Sequence, residues 1–107
     1  MIIYNVTCNI DKSIRNEWLD WIKEHIPQVL ATGKFKDAKL TKVLVDDVEA
    51  DTYSIQFRAH SRADLDAYYK DHAIRLRQEG MQRFSDKMLA FRTELEIIDE
   101  YSITHNS

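Results

Sequence analysis

The feature that most constrains the fold is the stretch from Thr52 to Phe84, where a period of two gives way to a helical period. Between positions 52 and 60, apolar and polar residues alternate strictly, which is typical of a half-buried β-strand. Ser61 and Asp64 then form a pair with capping-box spacing, which indicates the start of a helix. After this pair, apolar residues recur with helical spacing at Leu65, Tyr69, Ala73, Leu76 and Gly80. A strand that leads directly into an amphipathic helix is therefore expected.

The first half of the chain shows the same succession of periods. Positions 2 to 10 alternate between apolar and polar residues and predict the first strand. Residues 14 to 26 repeat with helical spacing and place Trp21 and His25 on one apolar stripe. Because Pro27 has no backbone donor and crowds the preceding turn, this helix is expected to end just before it.

Two more strands are predicted, at positions 35–45 and 88–98. In the former the apolar parity changes between Leu40 and Val43, so a β-bulge is expected there. Gly80 is expected to interrupt the helix in the second half of the chain, in the same way that Pro27 interrupts the helix in the first half.

The resulting order, β-α-β-β-α-β, is that of the ferredoxin-like fold. Right-handed crossovers would place both helices on one face of a four-stranded antiparallel sheet. This α+β domain is expected to span residues 1–99, and residues 100–107 are expected to form a polar tail.

Alternate residues of the last strand point to opposite faces of the sheet, and their assignment decides which side chains lie on the open face, away from the helices. Leu89, Phe91 and Leu95 are expected to face the helices, which would leave Arg92 and Glu94 on the open face. That face then becomes polar, with Asn5, Thr7, Asn9, Gln56 and Arg58 beside them. Arg58 and Glu94 could pair across the strands. Such a face either meets water or lines an interface in which its polar groups are paired.

Composition excludes several classes of protein. Fifteen basic and eighteen acidic side chains give a net charge of -3 without a block of one sign, so a nucleic-acid partner is not expected. No apolar run is long enough to span a membrane, and a signal peptide is not recognisable, so a cytoplasmic protein is expected. Cys8 cannot form an internal disulfide and is expected to be a small buried thiol.

Metal and cofactor motifs are also missing from the sequence. The four histidines, His25, His60, His72 and His105, share no short ligand spacing, so no metal site is predicted. The acidic segment 46–51 lacks the spacing and central glycine of a calcium loop and is expected to be a solvated hairpin tip. No phosphate loop, nucleophile elbow or dinucleotide fingerprint is present, and no cofactor is predicted.

The second helix carries the best cluster of chemically capable side chains. Tyr68, His72 and Arg75 lie four and three positions apart along one flank, with Tyr69 and Arg77 nearby. A hydroxyl, an imidazole and a guanidinium could bind and protonate a small anionic molecule. The alternative is structural: Tyr69 packs in the core, Tyr68 covers its edge, and the other three form a solvated flank.

The first helix supplies a second candidate. His25 lies on the apolar side one turn beyond Trp21, where the end of the helix would favour a protonated imidazole. His25 could act as an acid or base and Trp21 could line the same pocket. The alternatives are a satisfied core histidine and a tryptophan that anchors the core or an interface.

Several short segments together resemble a family of small bacterial proteins known as a domain of unknown function. They are Met1-Ile2-Ile3-Tyr4-Asn5-Val6-Thr7, Trp18-Leu19, His25-Ile26-Pro27, Thr32-Gly33-Lys34-Phe35, Ser61-Arg62-Ala63-Asp64-Leu65, Tyr68-Tyr69 and Phe91-Arg92-Thr93-Glu94-Leu95. The resemblance covers residues 1 to about 99. It implies a fold like the dimeric α/β barrels, in which two ferredoxin-like subunits face their sheets together and pockets lie between helices and sheet. It assigns no catalytic residue.

Two main functional hypotheses remain open from the sequence, and pairing of an exposed edge strand with another protein is a third. The first is a homodimeric module without catalytic activity, either a regulator or a binder of a small ligand. The second is a cofactor-independent enzyme, similar to monooxygenases or isomerases of the resembled type, that acts on a small organic molecule. In the second, His25 or His72 would be the acid or base, and Trp21, Tyr68 or Arg75 would contact the substrate. If both histidines were packed solid or fully solvated with no cleft nearby, the enzyme hypothesis would lose its only acid or base.

Overall fold

A computed structural model of the chain describes residues 1–103. The last four positions of the predicted polar tail, which include His105, lie outside the described residues.

The predicted ferredoxin-like order of elements is confirmed. The elements are β1 (Ile2–Asp11), α1 (Arg15–Leu30), β2 (Phe35–Val43), β3 (Ala50–Ala59), α2 (Arg62–Tyr68), α3 (Ile74–Phe84) and β4 (Met88–Glu96). A π-helical turn at Tyr69–Ala73 joins α2 to α3, and 3-10 turns precede α1 and β4. The four strands form one antiparallel sheet in the order β2-β3-β1-β4.

The core lies between one face of this sheet and the two helices. Alternate residues of the central strands, such as Tyr4, Ile55 and Phe57, are buried there with Trp18 and Leu65 from the helices. The Trp18 ring packs at a tilt against Tyr53, with ring centroids 5.0 Å apart. The period-two prediction for β1 and β3 is therefore confirmed.

The second helix begins where its capping residues predict. Ser61 has an extended backbone and its side chain accepts a hydrogen bond from the Asp64 amide at 3.1 Å. This bond satisfies one of the four amides that a helix start leaves free.

The prediction that Pro27 ends the first helix is wrong. α1 runs through Pro27 to Leu30, and the backbone amide of Ala31 donates to the Pro27 carbonyl at 2.9 Å. A proline inside a helix costs roughly 3 kcal/mol through its missing hydrogen bond and its steric clash. The extra turn carries Val29, which is fully buried, and that burial contributes roughly 2 kcal/mol toward offsetting the cost.

Gly80 does not interrupt its helix either. α3 continues through Gly80 to Phe84. A Cβ atom built on Gly80 would lie 2.6 Å from the Trp21 ring, so this glycine permits close contact with α1. The prediction that Gly80 breaks the second helix is therefore wrong, and Gly80 instead allows the two helices to pack closely.

The bulge of β2 lies at Lys36, near its start, and the prediction of a bulge between Leu40 and Val43 is wrong. The pairing register shifts between Phe35 and Asp37. The shift allows Phe35, which is buried, and Ala38 both to face the core. Val43 then pairs with the open-face residue Thr52 in an otherwise regular ladder.

The parity predicted for β4 is reversed in the structure. Arg92 pairs with Val6 and Glu94 pairs with Tyr4, and both of these β1 residues face inward. The reason is that β4 is an edge strand, where long polar side chains find hydrogen-bond partners on the helix side. Leu89, Phe91 and Leu95 consequently lie on the open face and are 58, 62 and 45% exposed.

The predicted pair between Arg58 and Glu94 does not form, because the two residues lie on opposite faces of the sheet. Arg58 donates to Asp37, with its Nε 2.7 Å from Oδ1. Glu94 pairs with Arg62 at 2.8 Å.

Asp51 is the one predicted tip residue that the sheet buries. It belongs to β3, is 8% exposed and accepts from Arg15 at 3.3 Å, with Lys42 at 3.9 Å. The loop that joins β2 to β3 therefore spans only residues 44–49.

Candidate functional site

The helices and the inner face of the sheet leave a cleft of about 510 Å³ between them. Its floor is formed by inward-facing residues of β1, β3 and β4, and its roof by α1 and α3. The apolar part of its lining includes Val6, Ile22, Val29, Ile55, Phe57 and Met81. A concave, mostly apolar site of this volume is typical of small-molecule binding.

Aromatic stacking fixes one wall of the cleft. The Trp21 ring stacks on His25 with centroids 4.5 Å apart and meets Phe84 edge-on at 5.6 Å. Gly80 provides the space into which the Trp21 ring fits. The position of this indole therefore depends on contacts with both helices.

The two adjacent tyrosines of the second helix lie where α2 meets the π-helical turn. Buried positions of this helix run from Leu65 to Tyr68 and then to Ala73, a step of five residues that matches a π turn. Tyr68 is accordingly buried and lines the cleft, whereas Tyr69 is only half-buried. The structural alternative from the sequence had these two roles the other way round, because it assumed an uninterrupted α-helical period.

Two arginines and a tyrosine hydroxyl meet at the floor of the cleft. Arg77 of α3 donates from Nη2 to the Tyr4 hydroxyl at 2.7 Å, and Arg92 of β4 donates from Nε to the same oxygen at 3.1 Å. All three residues line the cleft. The Nε of Arg77 is buried and has no hydrogen-bond partner within residues 1–103.

The Tyr4 ring that carries this hydroxyl is firmly packed. Its centroid lies 6.0 Å from Phe57, 5.9 Å from Tyr68 and 5.6 Å from Tyr69. The ring is 2% exposed, so the hydroxyl has a fixed position at the cleft floor.

Next to this group on β4, Glu94 belongs to a separate network. It receives both terminal nitrogens of Arg62 at 2.8 Å and the Tyr69 hydroxyl at 2.6 Å. The hydrogen bonds from Arg62 and Tyr69 lower the pKa of Glu94 to about 2. The network joins the start of α2 to the edge strand, and it occupies both carboxylate oxygens of Glu94.

Cys8 lies on the cleft floor as a protonated thiol. Burial raises its pKa to about 11, which the nearby Arg92 only partly opposes. A thiol in this state is a poor nucleophile at neutral pH. The expectation of a buried structural cysteine fits its environment.

His25 also lines the cleft, beside Trp21. Burial lowers its pKa below the ordinary value of 6.5, and Glu79 opposes that shift. The imidazole is therefore neutral at neutral pH, the form that can accept a proton. The expectation that a helix end favours protonated His25 is wrong, because α1 continues to Leu30 and burial lowers the pKa of His25.

The structure brings together three of the five residues that the sequence singled out: His25, Trp21 and Tyr68. His72 and Arg75 do not line the cleft; Arg75 Nη2 lies 3.1 Å from His72 Nδ1 on the exposed flank of the helix. A binding or catalytic role for any of these residues stays a prediction.

Sequence reasoning missed the group at the cleft floor. Tyr4 was considered only as one of the alternating residues of the first strand, and Arg92 was expected on the open face, opposite to where the structure places it. Arg77 was noted only as a neighbour of the flank, although it lies four residues after the buried Ala73 and so faces inward. That spacing was the available signal.

Residues 1–103 contain no group of three or more side chains arranged to hold a metal ion. Within the same range, no helix is both long and apolar enough to cross a membrane.

Solved structures place the chain in the ferredoxin-like class. A dimeric ferredoxin-like protein from an uncultured marine organism superposes with a TM-score of 0.72 at 10% identity, covering 94% of this chain and 97% of that one. A de novo designed protein with ferredoxin fold superposes with a TM-score of 0.54 at 17% identity, over 99% of this chain and 96% of that one. Both are similar in fold alone at these identities.

The chain belongs to the family described as Domain of unknown function (DUF4286), which matches residues 1–98. No curated protein matches the sequence.

Proposed function

We propose that the protein is a homodimeric module that binds a small organic molecule in the cleft between its helices and its sheet. The observation that carries the proposal is the cleft itself, about 510 Å³ in a chain of 107 residues. A cleft of this volume, lined by aromatic and aliphatic side chains with a few convergent polar groups, is typical of small-molecule sites.

Binding without catalysis is supported by the state of the two most reactive groups at the cleft. Cys8 is protonated at neutral pH because burial raises its pKa. His25 packs on Trp21, and no side-chain hydrogen bond orients its ring among residues 1–103. A general base usually needs such an orienting partner.

A library of small metabolites, screened by thermal shift against the protein and an Ala90→Trp variant, tests the ligand proposal. Ala90 lines the cleft floor, so the indole should fill the cleft and abolish stabilisation by any true ligand. Ala63→Trp, on the exposed start of α2, is the matched control and should respond like wild type. Ligands that stabilise the Ala90→Trp variant equally well would show that the cleft is not the site.

The homodimer is supported by the open face of the sheet. Leu89, Phe91 and Leu95 form an exposed apolar stripe along the edge strand. The polar residues beside them already satisfy one another: Ser54 donates to Asn5 at 2.6 Å and Asn9 donates to Thr52 at 3.2 Å. Such paired groups can be covered at little cost, whereas unpaired ones cannot.

The fold relative named above is itself described as dimeric, which is consistent with this use of the face. Light scattering after size exclusion should give twice the mass of one chain. A monomer at micromolar concentration would exclude the dimer while leaving the ligand proposal intact.

A second candidate is a cofactor-independent enzyme acting on a small organic molecule, and the neutral His25 at the cleft wall favours it. Each stabilising ligand from the screen should then be followed by NMR for conversion. For an enzyme, His25→Gln should retain binding but lose conversion at least about 100-fold, the usual contribution of a general base. His72→Gln, outside the cleft, is the control. Ligands that bind and remain unchanged over days would exclude this candidate.

A further inference from the structure

We infer that the cleft recognises its ligand by an anionic head group, a carboxylate or a phosphate, held by Arg77, Arg92 and Tyr4, with an apolar or aromatic body against Trp21. This inference rests on the proposed function, since it names the class of ligand for the same cleft. It assigns the binding role to residues of the cleft floor and not to the flank that carries Arg75.

The first step is the convergence of two cations on one neutral atom. The guanidinium groups of Arg77 and Arg92 come from different elements, α3 and β4, and both donate to the Tyr4 hydroxyl. Each guanidinium is therefore held within reach of a common point at the cleft floor. Two like charges beside one phenol repel each other, and an anion between them would relieve that repulsion.

The second step is the missing counter-charge. Within residues 1–103, the salt bridges involve Asp51 with Arg15 and Lys42, Asp37 with Arg58, and Asp66 and Glu94 with Arg62. Neither arginine of the cleft floor has a carboxylate partner in that part of the chain. Glu94, two residues from Arg92 on the same side of β4, is occupied by Arg62 and Tyr69.

The third step is a donor that lacks an acceptor. The Nε of Arg77 is buried without a hydrogen-bond partner among the described residues, although its neighbour Nη2 is bonded. Leaving a buried charged donor unsatisfied is destabilising. Guanidinium groups present pairs of N–H donors that match the two oxygens of a carboxylate or phosphate. An anion at this place would therefore use a donor that the protein itself leaves free.

The walls of the cleft indicate the chemistry of the ligand beyond its anionic head group. Above the cleft floor the walls are Trp21, Ile22, Val29 and Met81, with the His25 imidazole stacked on Trp21. Within residues 1–103, no lysine, aspartate or glutamate lines the cleft, and its arginines are the two at the floor. The volume of about 510 Å³ exceeds what a simple inorganic ion needs. The site thus fits a molecule with one anionic end and one apolar end.

Three probes with the same aromatic body separate the possibilities: phenylacetate, phenyl phosphate and the neutral phenylacetamide. Affinities are measured by isothermal titration calorimetry at fixed ionic strength. One of the two anions should bind at least about 10-fold more tightly than the amide, as expected for a charge-assisted hydrogen bond. The tighter anion identifies the head group as carboxylate or phosphate.

Arg77→Gln and Arg92→Gln should each weaken binding of that anion at least about 10-fold and leave the amide unaffected. Arg75→Gln is the matched control, because Arg75 lies on the same helix as Arg77 but outside the cleft. The affinity of this variant for the anion should stay within about 2-fold of wild type. If Arg77→Gln fails to fold, Arg92→Gln alone decides, since Arg92 is an exposed residue of an edge strand.

A measurement without any ligand separates a binding role from a structural one. Removing one of two unpaired like charges should leave the melting temperature of Arg92→Gln equal to or above that of wild type. A large drop would assign the arginines to the fold and overturn the inference.

Equal affinity of the amide and both anions would also overturn the inference, but the proposed ligand-binding function would stand. Absence of binding by all three probes overturns it as well. The proposed function is judged separately, by the library and the Ala90→Trp variant.

Discussion

Gly80 sets how closely the two helices approach each other. Its missing side chain leaves room for the Trp21 ring, which in turn packs on Phe84 and forms a wall of the cleft. A single residue without a Cβ atom therefore links helix packing to the shape of the candidate site.

We expect Gly80→Ala to destabilise the protein by up to about 2 kcal/mol. Overpacking against the Trp21 ring costs roughly 1–3 kcal/mol, and the gain in helix propensity returns up to about 1 kcal/mol. Urea unfolding followed by circular dichroism measures the difference. Gln78→Ala, two positions away on the exposed side, should change the free energy of unfolding by less than about 0.5 kcal/mol. Stabilisation by Gly80→Ala would contradict the close contact.

Cys8 should be unreactive in the folded protein. With a pKa of about 11, its thiolate fraction at pH 8 is smaller than that of a free cysteine by roughly a factor of 100. A disulfide reagent such as dithionitrobenzoate should label the native protein at least about 100-fold more slowly than the urea-unfolded chain. Equal labelling rates in both states would show that the thiol is exposed.

At the scale of elements, the π turn and the edge strand shape the cleft. Across the π turn, the buried positions Tyr68 and Ala73 lie five residues apart, and Tyr68, not Tyr69, lines the cleft. β4 turns Arg92 and Glu94 toward the helices, and Glu94 ties this strand to the start of α2 through Arg62.

The stability that Glu94 contributes through Arg62 and Tyr69 should depend on pH. Because hydrogen bonds to Arg62 and Tyr69 lower the pKa of Glu94 from 4.5 to about 2 in the folded state, its ionised form stabilises the fold above pH 4.5. This contribution is lost as the pH falls from 4.5 toward 2. Glu94→Gln should therefore lower the free energy of unfolding at pH 7 by about 1 kcal/mol, the upper end for a largely exposed pair.

Urea unfolding of wild type and Glu94→Gln at pH 7, 4 and 3 checks this prediction. The difference between the two proteins should shrink as the pH falls. Glu96→Gln, the next inward-facing position of β4, has no salt bridge among residues 1–103 and serves as the control. A difference for Glu94→Gln that is constant with pH would contradict the assignment.

In the whole molecule, the two faces of the sheet differ in what they contact. One face builds the core and the cleft, while the other presents an apolar stripe beside mutually bonded polar residues. With strands about 4.8 Å apart and about 3.3 Å per residue, four strands of this length present roughly 600 Å². That area approaches the roughly 800 Å² per partner of a standard interface.

We expect Phe91→Glu to convert the proposed dimer into a monomer, because it places a charge in the centre of the apolar stripe. Light scattering at micromolar concentration should report half of the wild-type mass. Ile74→Glu is the matched control: Ile74 is equally apolar and 77% exposed, but it lies on α3, away from the sheet face. Loss of the dimer in Ile74→Glu, or its retention in Phe91→Glu, would locate the interface elsewhere.

Part of the site was predictable because helical spacing is a local property. Trp21, His25 and Tyr68 were selected from their own helices, and each lines the cleft. The position of Arg92 was not predictable in the same way, since the alternation in β4 favours Leu89, Phe91 and Leu95 as the inward residues. Its register against β1, set by contacts between distant parts of the chain, decides which side chains turn toward the helices.

The sequence by itself determined the order of strands and helices, the Ser61 helix start and the inward faces of β1 and β3, because periods of two and 3.6 arise from backbone geometry within each segment. Only the tertiary structure decided that α1 runs through Pro27, that Gly80 receives the Trp21 ring, and that Arg77 and Arg92 meet at Tyr4. These features depend on packing and hydrogen bonds between residues far apart in the chain, whose energies override local preference.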